Sequence, residues 1–166
     1  MLLFRNLDDR FYIGLEEGTH SLEEDIVKQG NLKDFEKFLN DAGIKCKLQE
    51  SQKSTRVGID FVYEERNIPF FEIASSGTVS LTLFYFWYQR LLKEEEKCSF
   101  LFIDEFDAFY HHDLSKLIVE KLKEVQNTQV ILTTHNTAII SNDLLRPDCY
   151  FLMYKESINS LSNSTT

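Results

Sequence analysis

Two acidic residues, Asp104 and Glu105, directly follow the apolar run Phe100-Leu101-Phe102-Ile103. Four consecutive apolar residues are too short for a helix, and these favour strands, so they predict a strand buried on both faces. In open parallel sheets, ligands bind at the carboxyl ends of the strands. The two carboxylates are therefore placed to serve a ligand or metal site, although a buried strand ending in two solvated acids is also common in α/β proteins.

A single histidine, His135, stands in the same position relative to a second predicted strand. Residues 130–133, with the sequence Val-Ile-Leu-Thr, are predicted to form a second buried strand, and Thr134, His135 and Asn136 come directly after it. Strands joined through a helix by right-handed crossovers lie parallel. The carboxyl ends of both strands should then meet at one edge of the sheet, which predicts that Asp104, Glu105 and His135 lie together.

A third candidate site is the segment Ser75-Ser76-Gly77-Thr78, which precedes a long apolar helix predicted over residues 79–93. Hydroxyl groups and unpaired backbone N–H groups at a helix start can face an anion, helped by the helix dipole. An ordinary serine N-cap explains the same residues. The helix is apolar on nearly all sides, so it should be buried.

The N-terminal part, residues 1–73, is predicted to be a small helical and antiparallel β region. Residues 1–18 are mixed, with a possible short strand at 11–13. The capping-box spacing from Ser21 to Glu24 predicts a helix to about Gln29, and Asn31 and Gly43 are placed to begin and end a second helix. Alternating apolar and polar residues then predict three strands of an antiparallel meander, at 44–48, 57–63 and 68–73.

The remaining chain reads as an α/β core over residues 74–154 with a flexible tail at 155–166. After the acids, Asp113 is a candidate N-cap for a helix that continues to about Val125. A helix at 137–145 and a parallel strand at 150–154 complete the predicted core. The fold class is therefore α/β, with parallel strands and flanking helices.

Composition limits the partners and the location. The chain has 166 residues and a formal net charge of -9, which disfavours a broad nucleic-acid or anionic-membrane surface. Lys45, Lys47, Lys53 and Arg56 form a loose basic cluster, interpreted as a solvated hairpin face. Three widely spaced cysteines indicate buried, inert thiols in a reducing compartment. Without a leader sequence or a membrane-spanning run, a soluble cytoplasmic protein is expected.

Taken together, the three segments resemble the motifs of ABC-class ATPases. Residues 75–78 are similar to the signature motif, residues 102–105 to the Walker B strand and residues 133–136 to the switch histidine, in the same order along the chain. The subgroup they resemble is the prokaryotic AAA-type proteins akin to SMC, RecF and OLD-family or abortive-infection ATPases. The resemblance covers about residues 73–154 and implies the C-terminal part of a P-loop NTPase fold.

The resemblance implies ATP and Mg²⁺ as cofactors. Asp104 would hold Mg²⁺ through water, Glu105 would be the general base, and His135 would contact the γ-phosphate. In such families two subunits enclose two ATP molecules, so a homodimer is implied. The signature segment would touch the nucleotide bound to the other subunit, and a D-loop would cross the dimer. These residues are Ser75, Ser76, Gly77 and Thr78 for the signature and Asp107, His111 and His112 for the D-loop.

One motif of a complete ATPase is not present in this sequence. The pattern G-x-x-x-x-G-K-[ST] needs a glycine followed by lysine, and none of the six glycines has one. We therefore interpret the chain as the C-terminal half of an ATPase, either truncated or the product of a split gene, which cannot turn over ATP alone. In the fold that this sequence resembles, the P-loop strand lies between the strand at residues 130–133 and the one at 150–154. The resemblance therefore implies an open slot there, so the chain would self-associate, swap strands or bind the missing P-loop half.

Two other interpretations remain open at this point. A metalloenzyme would use Asp104, Glu105, His111, His112 and His135, but no H-x-x-x-H or H-x-E spacing is present. A non-catalytic interaction module would use the ATPase motifs only to build a dimer face. The sequence does not indicate whether an ATPase cycle would act on DNA, a toxin or a nuclease, as in DNA processing or phage defence.

Overall fold

The structure, a computed structural model, describes residues 2–5, 10–12, 19–51, 57–64, 66–93 and 98–163. The five helices of these ranges are α1 (Thr19–Lys28), α2 (Leu32–Asp41), α3 (Phe70–Ile73), α4 (Ser76–Leu91) and α5 (His112–Lys123). The strands are β1 (Leu2–Arg5), β2 (Arg10–Tyr12), β3 (Leu48–Glu50), β4 (Ile59–Val62), β5 (Asn67–Pro69), β6 (Phe100–Ile103), β7 (Gln129–Leu132), β8 (Phe151–Met153) and β9 (Ile158–Ser160). The fold is mixed α/β, which confirms the predicted class.

Three sheets make up the β structure. The largest has the order β2-β1-β6-β7, the second has the order β3-β4-β5, and β8 pairs with β9 alone. β6 and β7 run parallel, with Ile103 opposite Leu132, which confirms the predicted parallel pair. β1 joins the other side of β6 in the antiparallel direction. The sheet that carries the site is therefore mixed, because an N-terminal strand covers the second edge of β6.

The core lies where α2 packs against the long helix α4. Phe35 and Leu39 of α2 are completely buried, as is Leu81 of α4. The ring of Tyr85 lies 4.9 Å from that of Phe35, and its hydroxyl donates a hydrogen bond to an Asp34 carboxylate at 2.8 Å. The aromatic run of α4 is thus largely covered by the chain's own N-terminal helices, and the polar tip of the buried tyrosine has a partner.

Several predicted boundaries in the N-terminal part are shifted. The first helix begins at Thr19, so Ser21 lies inside it rather than at its cap. Asn31 precedes α2 but makes no side-chain capping bond. Gly43 does follow α2 with a φ of +85°, the left-handed conformation expected after a helix end.

The antiparallel meander is confirmed, but its strands are shorter than predicted. Residues 44–47 lie outside the ladder, and β3 begins only at Leu48. The third strand ends at Pro69, and Phe70 starts the single helical turn α3. Phe70 is completely buried against Phe35 and Phe61, and burying this ring favours the turn over a continued edge strand.

The helix predicted over residues 137–145 is wrong. Only a 3₁₀ turn at Thr137–Ile139 forms, followed by further turns. Local side-chain bonds account for the difference: the Asn136 carboxamide accepts from the Ala138 N–H at 3.0 Å, and the Ser141 hydroxyl accepts from the Asp143 N–H at 3.2 Å. Such bonds compete with helix formation in a short segment.

The C-terminal strand also differs from the prediction. β8 does not extend the main sheet but forms an antiparallel hairpin with β9, with Met153 opposite Ile158. β9 lies within the tail that the sequence predicts to be flexible, so residues 158–160 form a short strand there. One face of the hairpin is apolar and solvent-exposed, with Phe151, Met153 and Ile158 exposed by 64%, 72% and 61%.

The three cysteines all lie among the described residues, and they differ in exposure. Cys46 and Cys98 are half-buried, and burial raises the pKa of both thiols. Cys149 is exposed, contrary to the expectation of three buried thiols.

Among the described helices, none combines the length and the apolar character needed to cross a membrane.

A buried carboxyl group links α1 to the meander and predicts a pH-dependent stability. Glu23 is buried, and one of its oxygens accepts the Ile59 N–H at 3.2 Å. Burial, opposed by this hydrogen bond and aided by the Asp60 carboxylate, raises the pKa of Glu23 from 4.5 to about 6. Because the folded protein favours the protonated form, this stabilisation is complete below about pH 4.5 and is lost as the pH rises through 6.

We therefore expect Glu23→Gln, which keeps the acceptor oxygen without the charge, to stabilise the protein at neutral pH. The free energy of unfolding should rise by about 2 kcal/mol there and change little near pH 4, measured by urea denaturation across this range. Glu24→Gln is the control, because Glu24 is partly exposed and pairs with Lys28 on the same helix. An equal gain for Glu23→Gln at both pH values would contradict the prediction.

Candidate functional site

The two acids lie at the carboxyl end of β6, where the end of β7 fixes their backbone. The Thr133 hydroxyl donates to an Asp104 carboxylate oxygen at 2.6 Å and accepts the Glu105 N–H at 2.8 Å. The Thr133 backbone bonds to Ile103 and Phe106 on either side of the acids. Glu105 has a φ of +47°, a left-handed conformation that a non-glycine residue adopts only when its surroundings hold it there.

The imidazole of His135 reaches the second acid. Its Nε2 lies 3.4 Å from an oxygen of the Glu105 carboxylate, and the imidazole side chain is 92% exposed. The structure therefore brings Asp104, Glu105 and His135 to one edge of the sheet. Both the carboxylates and the imidazole are open to a ligand arriving from solvent.

The sequence did not single out Thr133, although it joins the two strand ends. No signal in the sequence places it there, because its position depends on the strand register, in which Ile103 pairs with Leu132 and Asp104 is therefore next to Thr133. A threonine there can bond a carboxylate and a backbone N–H at once.

The turn that follows the acids is attached to the same strand end. Asp107 accepts a hydrogen bond from the Thr134 hydroxyl at 2.7 Å, and the Thr134 oxygen in turn accepts the Asn136 N–H at 2.9 Å. Backbone bonds from Ala108 to Glu105 and from Tyr110 to Asp107 close the turn. Asp107 is therefore part of the site's framework.

His111 and His112 lie at the start of α5, after this turn. His111 is the N-cap residue and His112 the first helical residue, so the predicted cap at Asp113 is wrong by two positions. The Ser115 hydroxyl and N–H both bond to the His111 carbonyl, which explains the earlier start. The Nδ1 atom of His112 is buried and has no hydrogen-bond partner among the described residues.

The predicted signature segment begins α4. Ser75 is its N-cap: its hydroxyl oxygen accepts the Thr78 N–H at 3.2 Å and lies 2.9 Å from the Thr78 hydroxyl. Ser75 and Ser76 are exposed, whereas Thr78 is buried. The capping role of Ser75 is thus observed, and it leaves the hydroxyl at the surface next to the positive end of the helix dipole.

Gly77 connects this helix start to the turn after the acids. A Cβ atom at this position would lie 3.3 Å from the Phe109 carbonyl oxygen, a contact tighter than most side chains accept. Glycine therefore allows the backbone of the 104–109 turn to approach α4 closely. Through this contact the signature segment and the acidic edge belong to one continuous region.

The chemistry of these groups fits one side of a nucleotide site. Exposed carboxylate oxygens are the ligands that Mg²⁺ takes in proteins, often through water. Glu105 can accept a hydrogen bond from a water molecule, and His135 can donate one to a phosphate oxygen. Among the described residues, no three His, Cys, Asp or Glu side chains converge to hold a metal ion directly. The described residues also provide no glycine-rich phosphate-binding loop, so the fit extends to the metal and water side alone.

Comparison with known proteins identifies the family of this chain. Residues 2–141 match a family model described as "AAA domain, putative AbiEii toxin, Type IV TA system". No curated protein sequence matches the chain. A solved structure that it resembles is the crystal structure of the SMC head bound to the C-winged helix domain of ScpA, with 14% identity and a TM-score of 0.47. The match covers 72% of this chain and 41% of the SMC head chain.

The family match spans both the N-terminal strand and helices and the strands that carry Asp104, Glu105 and His135. It includes residues 75–78 at the start of α4 and ends just beyond His135. The chain therefore belongs to this AAA-domain family of ATPase-type proteins.

Proposed function

We propose that this chain is the C-terminal half of an ABC-class AAA-type ATPase that binds and hydrolyses ATP. The observation that carries the proposal is the contact between Glu105 and His135, at the end of a strand pair that Thr133 fixes. A base and a phosphate-contacting imidazole on adjacent parallel strands suit the activation of water next to a phosphoryl group.

Each site residue has a proposed role. Asp104 holds Mg²⁺ through water, Glu105 takes the proton of the attacking water, and His135 donates a hydrogen bond to the γ-phosphate. Bound Mg·ATP would supply the phosphoanhydride bond to be cleaved. Asp107 orders the D-loop, which in this proposal extends to His111 and His112.

The signature segment acts on the other subunit in this proposal. Ser75, Ser76 and Gly77 would contact the nucleotide held by the partner copy, so that ATP binding favours a homodimer. Exposure of the Ser75 and Ser76 side chains and the positive end of the α4 dipole support the assignment. Thr78, which is buried, would contribute by orienting Ser75.

The phosphate-binding loop would come from a separate segment that docks on the open side of the sheet. β7 pairs with β6, and its other edge has no strand partner among the described residues. Ile131 on β7 is exposed, and so is the apolar face of the hairpin formed by Phe151, Met153 and Ile158. Open strand edges and exposed apolar patches are typical of surfaces that another polypeptide covers.

A non-catalytic interaction module is the second candidate function. The observation that favours it is the same exposed apolar hairpin face, which could hold a partner without any nucleotide.

The family description names a putative toxin of a type IV toxin–antitoxin system. The proposal therefore includes coupling of the ATPase to phage defence or DNA processing, with DNA, a toxin or a nuclease as the partner.

The proposed function predicts that the chain alone releases no phosphate from ATP above background, because the loop and lysine that grip the triphosphate are absent from its sequence. Co-expression with the segment encoded upstream, if it carries a P-loop, should restore hydrolysis, measured as phosphate release. Catalytic hydrolysis by the chain alone would contradict the half-site assignment. A stable complex that shows no hydrolysis would favour the interaction module.

A further inference from the structure

The hydroxyl group of Thr133 forms two hydrogen bonds with the acidic turn that follows β6. It donates to an Asp104 carboxylate oxygen at 2.6 Å and accepts the Glu105 N–H at 2.8 Å. A hydroxyl carries one proton and two lone pairs, so this single group is a donor and an acceptor at once. Valine has nearly the same shape as threonine but can form neither bond.

Thr134 repeats this arrangement one residue further along the chain. Its hydroxyl donates to an Asp107 carboxylate oxygen at 2.7 Å and accepts the Asn136 N–H at 2.9 Å. The second bond closes a short turn of backbone whose central residue is His135. Two consecutive threonines therefore hold the two partners of the Glu105–His135 contact, one partner each.

The two side chains that meet in this contact are not held by packing. The Glu105 side chain is 59% exposed and the His135 side chain 92% exposed, although Nε2 of the imidazole lies 3.4 Å from a carboxylate oxygen. Exposed side chains keep most of their rotamer freedom, because few neighbours restrict them. Their distance from each other therefore depends on the backbone positions from which they start.

The backbone of Glu105 needs a bond of its own. The Thr133 N–H donates to the Ile103 carbonyl at 3.0 Å, and the Thr133 carbonyl accepts the Phe106 N–H at 3.1 Å. These bonds hold the residues before and after the two acids, and the Thr133 hydroxyl holds the acids between them. Glu105 has a φ of +47°, a conformation that persists only where the surroundings impose it.

We propose that Thr133 and Thr134 are positioning residues, which set the Glu105 carboxylate and the His135 imidazole against each other. The inference rests on the proposed function, in which this pair acts on water beside a phosphate. Neither threonine touches the reacting atoms. A displacement of about 1 Å can slow an enzyme by about 10²-fold, so loss of either hydroxyl should lower the rate and leave nucleotide binding intact.

The first test measures the kinetics of the protein complemented with a phosphate-binding loop. Thr133→Val and Thr134→Val should each lower kcat by about tenfold or more and change KM for ATP by less than about twofold. The serine variants at both positions keep a hydroxyl and should retain most of the rate. Since both threonines hold one contact, the double valine variant should be at most about threefold slower than the slower single variant.

The matched control is Thr128→Val, just before the other end of β7. The Thr128 hydroxyl donates to the Cys98 carbonyl at 2.6 Å, so valine there also removes a bond between the segments that carry β6 and β7. It should lower the melting temperature and leave kcat unchanged. The proposal is overturned by a normal kcat in Thr133→Val or Thr134→Val, by serine variants as slow as the valine ones, or by an equal loss in the control.

The second test, amide hydrogen exchange of the chain alone, needs no nucleotide. The Glu105 N–H should exchange about tenfold or more faster in Thr133→Val, and the Asn136 N–H should do so in Thr134→Val. Unchanged exchange of both amides would overturn the proposal whatever the kinetics show. If the amides respond as expected but the complemented protein with all its threonines hydrolyses no ATP, the ATPase proposal fails and the hold on the two side chains stands.

Discussion

The substitution Glu105→Gln is expected to slow ATP hydrolysis strongly in the protein complemented with a phosphate-binding loop. Removing a general base costs about 10²–10⁴ in rate, so phosphate release should fall by at least about 100-fold. The substitution changes the chemistry more than the structure, because Thr133 holds residue 105 through its backbone N–H. The amide oxygen of glutamine can still accept a hydrogen bond from His135.

Nucleotide binding should survive in this variant, which separates loss of chemistry from loss of the site. The control is Glu120→Gln on α5, where the acid pairs with Lys123 at 2.9 Å and takes no part in the acidic edge. Its hydrolysis rate should equal that of the unchanged protein. A Glu105→Gln protein that hydrolyses ATP at the normal rate would remove the proposed base and leave the Glu105–His135 contact without a catalytic role.

The position of the acidic edge followed from the sequence because it depends on local patterns. Short apolar runs before Asp104 and Thr133 identify two strands, and the helix between them fixes their parallel direction. The prediction that the second of these strands is buried is wrong, because Ile131 of β7 is exposed and no residue of β7 is fully buried. This reasoning did not identify the role of the Thr133 hydroxyl. The sequence alone does not show which side chains at the ends of two adjacent strands face each other.

The parts that could not be predicted depend on contacts distant in sequence. β1 adds to β6 although 94 residues separate Arg5 from Phe100, and nothing in its own four residues specifies this partner. The predicted strand at 150–154 has the composition of a buried strand, yet β8 pairs with β9 and leaves Phe151 and Met153 exposed. β8 is apolar but does not join the main sheet. The proposed function accounts for this by a second segment, which would add a strand between β7 and β8.

The exposed hairpin and the start of α4 are distinct surfaces. The hairpin face is apolar and would be covered by polypeptide in the proposed complex. The start of α4 lies next to the acidic edge, because a Cβ atom at Gly77 would lie 3.3 Å from the Phe109 carbonyl oxygen in the turn after Glu105. Changes at the start of this helix should therefore affect association rather than the base itself.

The substitution Ser75→Arg is expected to prevent ATP-driven dimerisation of the complemented protein. Ser75 is exposed at the helix start, so a long cationic side chain there would occupy the space in which the partner's nucleotide is proposed to lie. The substitution also removes the N-cap bond to Thr78, which costs about 1 kcal/mol of stability. Sedimentation velocity with and without ATP, in the Glu105→Gln background, measures the dimer directly.

Two further variants separate the cap from the interface. Ser75→Ala loses the capping oxygen but adds no bulk, so it should lower the melting temperature and weaken dimerisation less than Ser75→Arg. Ser75→Asp keeps a capping oxygen and brings a negative charge towards the phosphates, so it should retain the fold and still fail to dimerise. A Ser75→Arg protein that dimerises normally with ATP would show that this serine only caps α4, and the proposed contact with the partner's nucleotide would then be wrong.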